Sequence, residues 1–214
     1  MEFLPKKIDD YVCSHTQDES PLLSELNRET WAKVLIPRML SGHLQGRALS
    51  MFSKMIRPKI VLEIGTYTGY SAICFSEGLR DNGKIYTIDI NEELESMSSY
   101  YFEKAGIKDK VKQYVGNALE IVPTIKDNFD LVFIDADKEN YSNYFDIVIN
   151  KMPIGGFIIA DNVLWSGKVV EKMKNNDSET KALKDYNTKI HQSDRVENLL
   201  LPIRDGLMIC QKVK

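Results

Sequence analysis

The sequence predicts an α/β fold: a mostly parallel seven-stranded sheet, helices on both faces, and an antiparallel hairpin at the C-terminal end. Two observations carry this. After Pro58, short and nearly continuous apolar runs alternate with helical patterns, as in a parallel sheet covered on both faces. Near the end, two apolar runs flank only Ile203-Arg204-Asp205, too short a link for a crossover, so they pair antiparallel at the edge of the sheet.

The elements follow in order. Ser20 before Pro21 reads as an N-cap with proline at the first helical position, and Leu22, Leu23 and Leu26 recur at helical spacing. A second amphipathic helix carries Leu44, Ala48, Leu49, Phe52, Met55 and Ile56 and stops at Arg57-Pro58. KIVLEIG (59–65) is the first strand, Thr68 to Leu79 a helix, and Asn82-Gly83 a turn. KIYTIDI (84–90) is the second strand. Asn91 caps a helix bearing Leu94, Met97, Tyr101 and Ala105, stopped by Gly106. VKQYVG (111–116) and FDLVFIDA (129–136) are further strands. Tyr141, Tyr144, Phe145, Val148 and Ile149 mark one helix face, and GGFIIADN (155–162) is the fifth strand. VENLLLP (196–202) and GLMICQKV (206–213) make the hairpin, while 168–194 is polar and weakly patterned. We expect a single domain over 1–214, with a helical extension over 1–57 and an α/β core over 58–214.

Composition excludes several classes. Hydrophobic residues are 43% and charged residues 28%, which rules out disorder as the main state. With 28 basic against 31 acidic residues there is no basic excess for nucleic acid. No apolar run reaches the roughly 18 residues of a membrane span. The first twenty residues are too polar and acidic for a targeting peptide. Cys13, Cys74 and Cys210 form neither a metal spacing nor a disulfide framework, so we expect a reducing cytoplasm. His15, His43 and His191 do not cluster.

In open parallel sheets ligands bind beyond the carboxyl ends of the strands, and those ends carry chemistry here. The first strand ends in Glu63-Ile64-Gly65-Thr66-Tyr67-Thr68-Gly69-Tyr70-Ser71. Gly65 and Gly69 let a ligand approach the backbone, and the spacing is not GxGxxG, which disfavours a nicotinamide dinucleotide. Asp89 ends the second strand and suits both hydroxyls of a ribose, with Ile90 beside it to cover an adenine face. Asp135, Asp161 and Asn162 end two later strands, an oxygen-only set suited to Mg²⁺, Ca²⁺ or Mn²⁺. Lys138 is near enough to act as a base on a ligand of that metal. Taken singly, each of these acids reads as a helix or turn cap; their coincidence at successive strand ends favours a site.

These residues resemble the cation-dependent class I O-methyltransferases of the caffeoyl-CoA and catechol type. The resemblance runs from about Leu22 to the C-terminus through MLSGHLQGR (39–47), LEIGTYTGYSA (62–72), TIDIN (87–91), GNAL (116–119), FIDADKENY (133–141), IIADNVLWSG (158–167) and LPIRDGLMIC (201–210). It implies a Rossmann-like methyltransferase fold and S-adenosylmethionine as cofactor. It implies that Met39 and Ser41 fold over the methionine end and that Glu63, Gly65 and Ser71 meet the amino-acid end. Asp89 would anchor the ribose, Ala118 would touch the adenine through its backbone, and Asp137 and Tyr144 would add cofactor contacts. Asp135 would serve both cofactor and metal, with Asp161 and Asn162 completing the metal site and Lys138 as the general base.

The implied reaction is methyl transfer to one hydroxyl of a vicinal aromatic diol, since chelation by a metal needs two adjacent oxygens. Trp165 either walls the acceptor ring or packs in the core, and Met39 could equally fill a core gap. Arg204 reads as a solvated turn residue, or as a contact to an acidic acceptor tail or a dimer mate. A homodimer is expected from the apolar surface of the helices before Pro58. Two other readings compete: an aminopropyltransferase on a similar sheet, which needs no hard metal, and a cofactor-binding regulator without catalysis.

Overall fold

The computed structural model describes residues 5–173 and 176–214. Lys174 and Asn175, inside the 168–194 stretch, and the first four residues of the expected N-terminal extension lie outside the described residues. Among the described residues, seven strands form one sheet. The chain divides into two compact units, Leu4–Asn117 and Ala118–Lys214.

In the first unit, α1 (Lys6–Ser14), α2 (Pro21–Lys33) and α3 (Gly42–Ile56) precede the strands. The Ser20 hydroxyl accepts the Leu23 amide at 3.2 Å and Pro21 opens α2, as its cap sequence requires. Arg57, left-handed at φ 52°, ends α3 before Pro58. Then come β1 (Ile60–Ile64), α4 (Tyr70–Ser76), β2 (Lys84–Asp89), α5 (Glu95–Lys104) and β3 (Val111–Val115). The strands run β3-β2-β1, all parallel, with Ile64 opposite Ile88 and Asp89 opposite Val115. Val61, Leu62, Ile85 and Ile88 on the strands, with Leu49 and Phe75 on the helices, are buried. Each such side chain contributes about 1.5–3 kcal/mol on leaving water.

The helix expected over Thr68–Leu79 is shorter, Tyr70–Ser76. Just beyond its end the chain packs against α3: a Cβ on Gly78 would lie 2.1 Å from the Ser53 carbonyl carbon, an approach that glycine permits.

The second unit holds α6 (Ala118–Ile121), β4 (Leu131–Ile134), α7 (Tyr141–Ile149), β5 (Phe157–Ala160), α8 (Ser178–Gln192), β6 (Val196–Leu201) and β7 (Leu207–Lys212). Its strand order is β4-β5-β7-β6, the first pair parallel and the other two antiparallel, so the terminal hairpin returns beside β5 and leaves β6 at the edge. All four residues of β4 are buried, as a run apolar on both faces demands. The polar 168–194 stretch contains α8, a helix its sequence hides. Thr180, Leu183, Tyr186 and Ile190 form a buried stripe among charged residues, and the Asp177 carboxylate accepts the Thr180 amide at 3.1 Å as its cap. Among the described residues no helix is long and apolar enough to cross a membrane.

Candidate active site

In the first unit, parallel pairing brings the ends of β1 and β2 side by side, and the Gly65 amide donates to the Ile88 carbonyl at 2.8 Å. Gly65 lies at φ 104° and Gly69 at φ 87°, conformations that favour glycine; a Cβ on Gly69 would also strike the Phe102 ring at 2.7 Å. Asp89, half-buried at the tip of β2, holds the loops on either side. One carboxylate oxygen accepts the Tyr67 amide at 2.7 Å and the other the Asn91 amide at 2.9 Å. A carboxylate offers about four lone-pair positions, so two remain. The bland reading of Asp89 as a cap and its reading as an anchor are thus compatible.

Glu63 is fully buried. Its oxygens accept from Ser71 Oγ at 2.6 Å and Thr87 Oγ1 at 2.5 Å, and Thr87 Oγ1 in turn lies 2.5 Å from Thr66 Oγ1. Ser71 therefore spends its hydroxyl proton on Glu63. Thr87 and Thr66, which the sequence did not single out, are part of this polar cluster; their only signal was hydroxyls in an otherwise apolar strand and turn. Met39 is 54% exposed on the single turn Pro37–Met39, so it fills no core gap. Ser41 is buried at the start of α3, and Ile90 is exposed. Tyr67, also left-handed, ties this region to the segment before Met39, its hydroxyl donating to the Ile36 carbonyl at 3.0 Å.

In the second unit, Ile134 pairs with Ala160, so Asp135 and Asp161 leave neighbouring strands at the same level, and the Asp161 amide donates to the Ile134 carbonyl at 2.9 Å. Asp161 is buried, with one carboxylate oxygen accepting the Asn162 amide at 2.7 Å. Asn162 is half-buried at φ 58°. Among the described residues no three His, Cys, Asp or Glu side chains group to hold a metal. β4 and β5 thus bring Asp135 and Asp161 to one level, with Asn162 next along the chain.

Lys138 is 6% exposed. Its Nζ donates to Asp135 at 3.2 Å and to the Tyr141 hydroxyl at 2.6 Å, and that hydroxyl donates to the Asp161 carbonyl at 2.9 Å. Burial, with Asp135 and Asp161 nearby, pushes the Tyr141 phenol well above its ordinary range, so it stays protonated. Tyr141 was expected only as an apolar helix position; its hydroxyl is the link between Lys138 and β5. Asp137 is exposed and accepts from Tyr144 and, at 2.5 Å, from Asn140. Ala118, buried, opens α6.

Trp165 is half-buried in the loop after β5, not in the core, with Lys138 Nζ 5.7 Å and Lys168 Nζ 5.5 Å from its ring centre. Trp165, Ser166 and Gly167 are three successive left-handed residues, at φ 47°, 53° and 82°. Arg204 is exposed in the β6–β7 turn at φ 53°.

A family model described as O-methyltransferase matches residues 13–213. The caffeoyl-CoA O-methyltransferase of Medicago sativa is 35% identical over 210 residues, covering 92% of this chain and 83% of that protein. The caffeoyl-CoA O-methyltransferase of Petroselinum crispum is 34% identical over 209 residues, covering 91% and 85%. Among solved structures, an SAH-bound methyltransferase of Podospora anserina superposes with a TM-score of 0.89 at 26% identity over 100% of both chains. An O-methyltransferase of Bacillus cereus in complex with SAH gives 0.88 at 26%, over 96% of this chain and 97% of that one.

Proposed function

Because the chain belongs to the O-methyltransferase family, we propose that it transfers a methyl group from S-adenosylmethionine to one hydroxyl of a vicinal aromatic diol, with a divalent cation and Lys138 assisting. The observation that carries this reading is the polarity of the Lys138 cluster. Tyr141 has one hydroxyl proton and gives it to the Asp161 carbonyl, so toward Lys138 it can only accept. The Asp135 carboxylate also only accepts. With two of its positions committed to Asp135 and Tyr141, the Lys138 amine has one left for an acceptor hydroxyl, as a general base requires. A free phenol titrates near 10, so at neutral pH such help is needed.

The donor set fits a hard cation: Asp135, Asp161 and Asn162 would hold it through oxygen alone, at the level that β4 and β5 share. Bound there, Mg²⁺, Ca²⁺ or Mn²⁺ would supply charge stabilisation to the oxygens of a chelated diol. Asp89 has the free lone pairs for two ribose hydroxyls, and Gly65 the open backbone for the methionine end. Holding acceptor and methyl donor in line is the rest of the catalysis, and orientation of this kind supplies about 7–11 kcal/mol when the geometry is good. Trp165 walls the acceptor ring. Relatives named for caffeoyl-CoA support a caffeoyl-type acceptor as the first to try.

A homodimer and a reducing cytoplasm complete the reading. Leu35, Trp31 and Met55 are exposed on or between the N-terminal helices, and all three cysteines are free. The test is a panel of ortho-diphenols incubated with labelled S-adenosylmethionine, with mass spectrometry of the products. Transfer that stops in chelator and returns with Mg²⁺, Mn²⁺ or Ca²⁺ is expected, as is loss of most activity in Asp161→Ala. Full activity with the metal shown absent by elemental analysis removes the cation, and no transfer to any diphenol overturns the acceptor class.

A further inference from the structure

We propose that Asp205, in the turn between β6 and β7, is the positioning residue that sets the Trp165 indole and through it the acceptor selectivity; this rests on the reading of Trp165 as the acceptor wall. The loop that carries Trp165 is not one its own sequence would choose. Trp165 and Ser166 are left-handed without being glycine, a conformation that costs an L side chain energy and persists only where neighbours impose it.

The neighbour is the β6–β7 turn. The Asp205 carboxylate accepts the Ser166 amide at 2.6 Å. Its carbonyl accepts the Leu164 amide at 2.9 Å, and the Gly206 carbonyl accepts the Val163 amide at 3.2 Å. These bonds bracket Trp165 on both sides, and only the first depends on a side chain. The turn also fits too closely to slide: a Cβ on Gly206 would lie 2.5 Å from Leu164 Cγ. Asn187 holds the other flank, its amide donating to the Val163 carbonyl at 2.9 Å. The indole therefore stands beside Lys138 because a hairpin some forty residues later in the chain holds its backbone there. A pocket wall set by such a bond discriminates between acceptors by its placement, and a loosened wall loses acceptor binding before it loses chemistry.

The test uses the full chain with Trp31→Phe, which leaves Trp165 as the sole tryptophan of the two. Asp205→Ala in this background is expected to red-shift Trp165 emission and to raise its quenching by acrylamide at least threefold. Asp205→Asn, which keeps an oxygen acceptor, is expected to restore both. With catechol as acceptor, Asp205→Ala should raise its KM about 5- to 20-fold, with kcat within about threefold and the KM for S-adenosylmethionine unchanged. Unchanged cofactor KM also shows that the variant is folded; should it not fold, Asp205→Asn carries the test, and a rise of the catechol KM by about 5-fold or more in Asp205→Asn overturns the proposal. Unaltered emission and quenching in folded Asp205→Ala overturn it too. If Trp165→Ala raises the catechol KM and Asp205→Ala does not, the positioning role fails while the acceptor wall stands. If Trp165→Ala itself leaves that KM unchanged, the wall reading fails.

Discussion

Replacing Tyr141 by phenylalanine isolates one oxygen atom at the centre of the candidate site. The ring is fully buried and meets Tyr186 edge-on at 5.5 Å, and phenylalanine keeps that packing. What goes is the hydroxyl between Lys138 Nζ and the Asp161 carbonyl. The bond from the charged amine is worth about 1.5–3 kcal/mol and the neutral bond to the carbonyl about 0.5–1.5. Against these stands about 1 kcal/mol regained by no longer burying a hydroxyl, so a net loss of about 1–3.5 kcal/mol is expected. Lys138 has little water to turn to at 6% exposure. Urea unfolding of the two proteins measures the difference. Tyr186→Phe is the matched control, since the Tyr186 hydroxyl is buried with no hydrogen-bond partner among the described residues; removing it should cost nothing or stabilise by about 1 kcal/mol. A loss below about 0.5 kcal/mol in Tyr141→Phe, or equal losses in both variants, would refute the claim that this hydroxyl holds Lys138. Methyl transfer should fall in Tyr141→Phe and not in Tyr186→Phe.

Glu77 gives a pH signature. Burial pushes its carboxyl up, but hydrogen bonds from Arg47 at 2.5 Å, Lys54 at 2.7 Å and Ser50 at 2.7 Å outweigh it and hold it at about 2. A depressed carboxyl stabilises the fold above its ordinary value near 4.3 and loses that contribution as pH falls toward 2. Discounted for a side chain 29% exposed, this amounts to about 1–2 kcal/mol, so Glu77→Gln should be less stable by that much at pH 7 and equal to wild type near pH 2, read by thermal unfolding across pH. Asp89→Ala should weaken S-adenosylmethionine binding by about 1.5–3 kcal/mol, roughly 10- to 100-fold, and unchanged calorimetric affinity in a folded variant removes the ribose role. Light scattering at micromolar concentration should give the mass of two chains; the mass of one contradicts the dimer.

The strands were legible because a strand buried on both faces must be apolar throughout: Val132, Phe133 and Ile134 admit no other reading. The α8 helix was not, because a stripe four residues wide is diluted by charges on its remaining faces. The close approach of Ser53 to Gly78, just past the early end of α4, was invisible too, being a tertiary fact. In the site, carboxylates and amides at strand ends announced themselves by type and spacing. Tyr141, Thr87 and Asp205 did not, because each acts through a hydrogen bond to another element, and nothing in the residue itself distinguishes that from packing or turn formation.

The ladder between β4 and β5 has a consequence for how such a protein can diversify. Ile134 faces Ala160, and the carboxylates that follow share a level only while that register holds. One residue inserted into either strand would turn every side chain beyond it to the opposite face and part the two acids. The loops that follow are held as well, Lys138 by Asp135 and Tyr141 and the backbone of Val163–Ser166 by the β6–β7 turn. This end of the sheet can therefore diversify by substitution rather than by insertion, with the strands beneath it limited to changes that conserve volume.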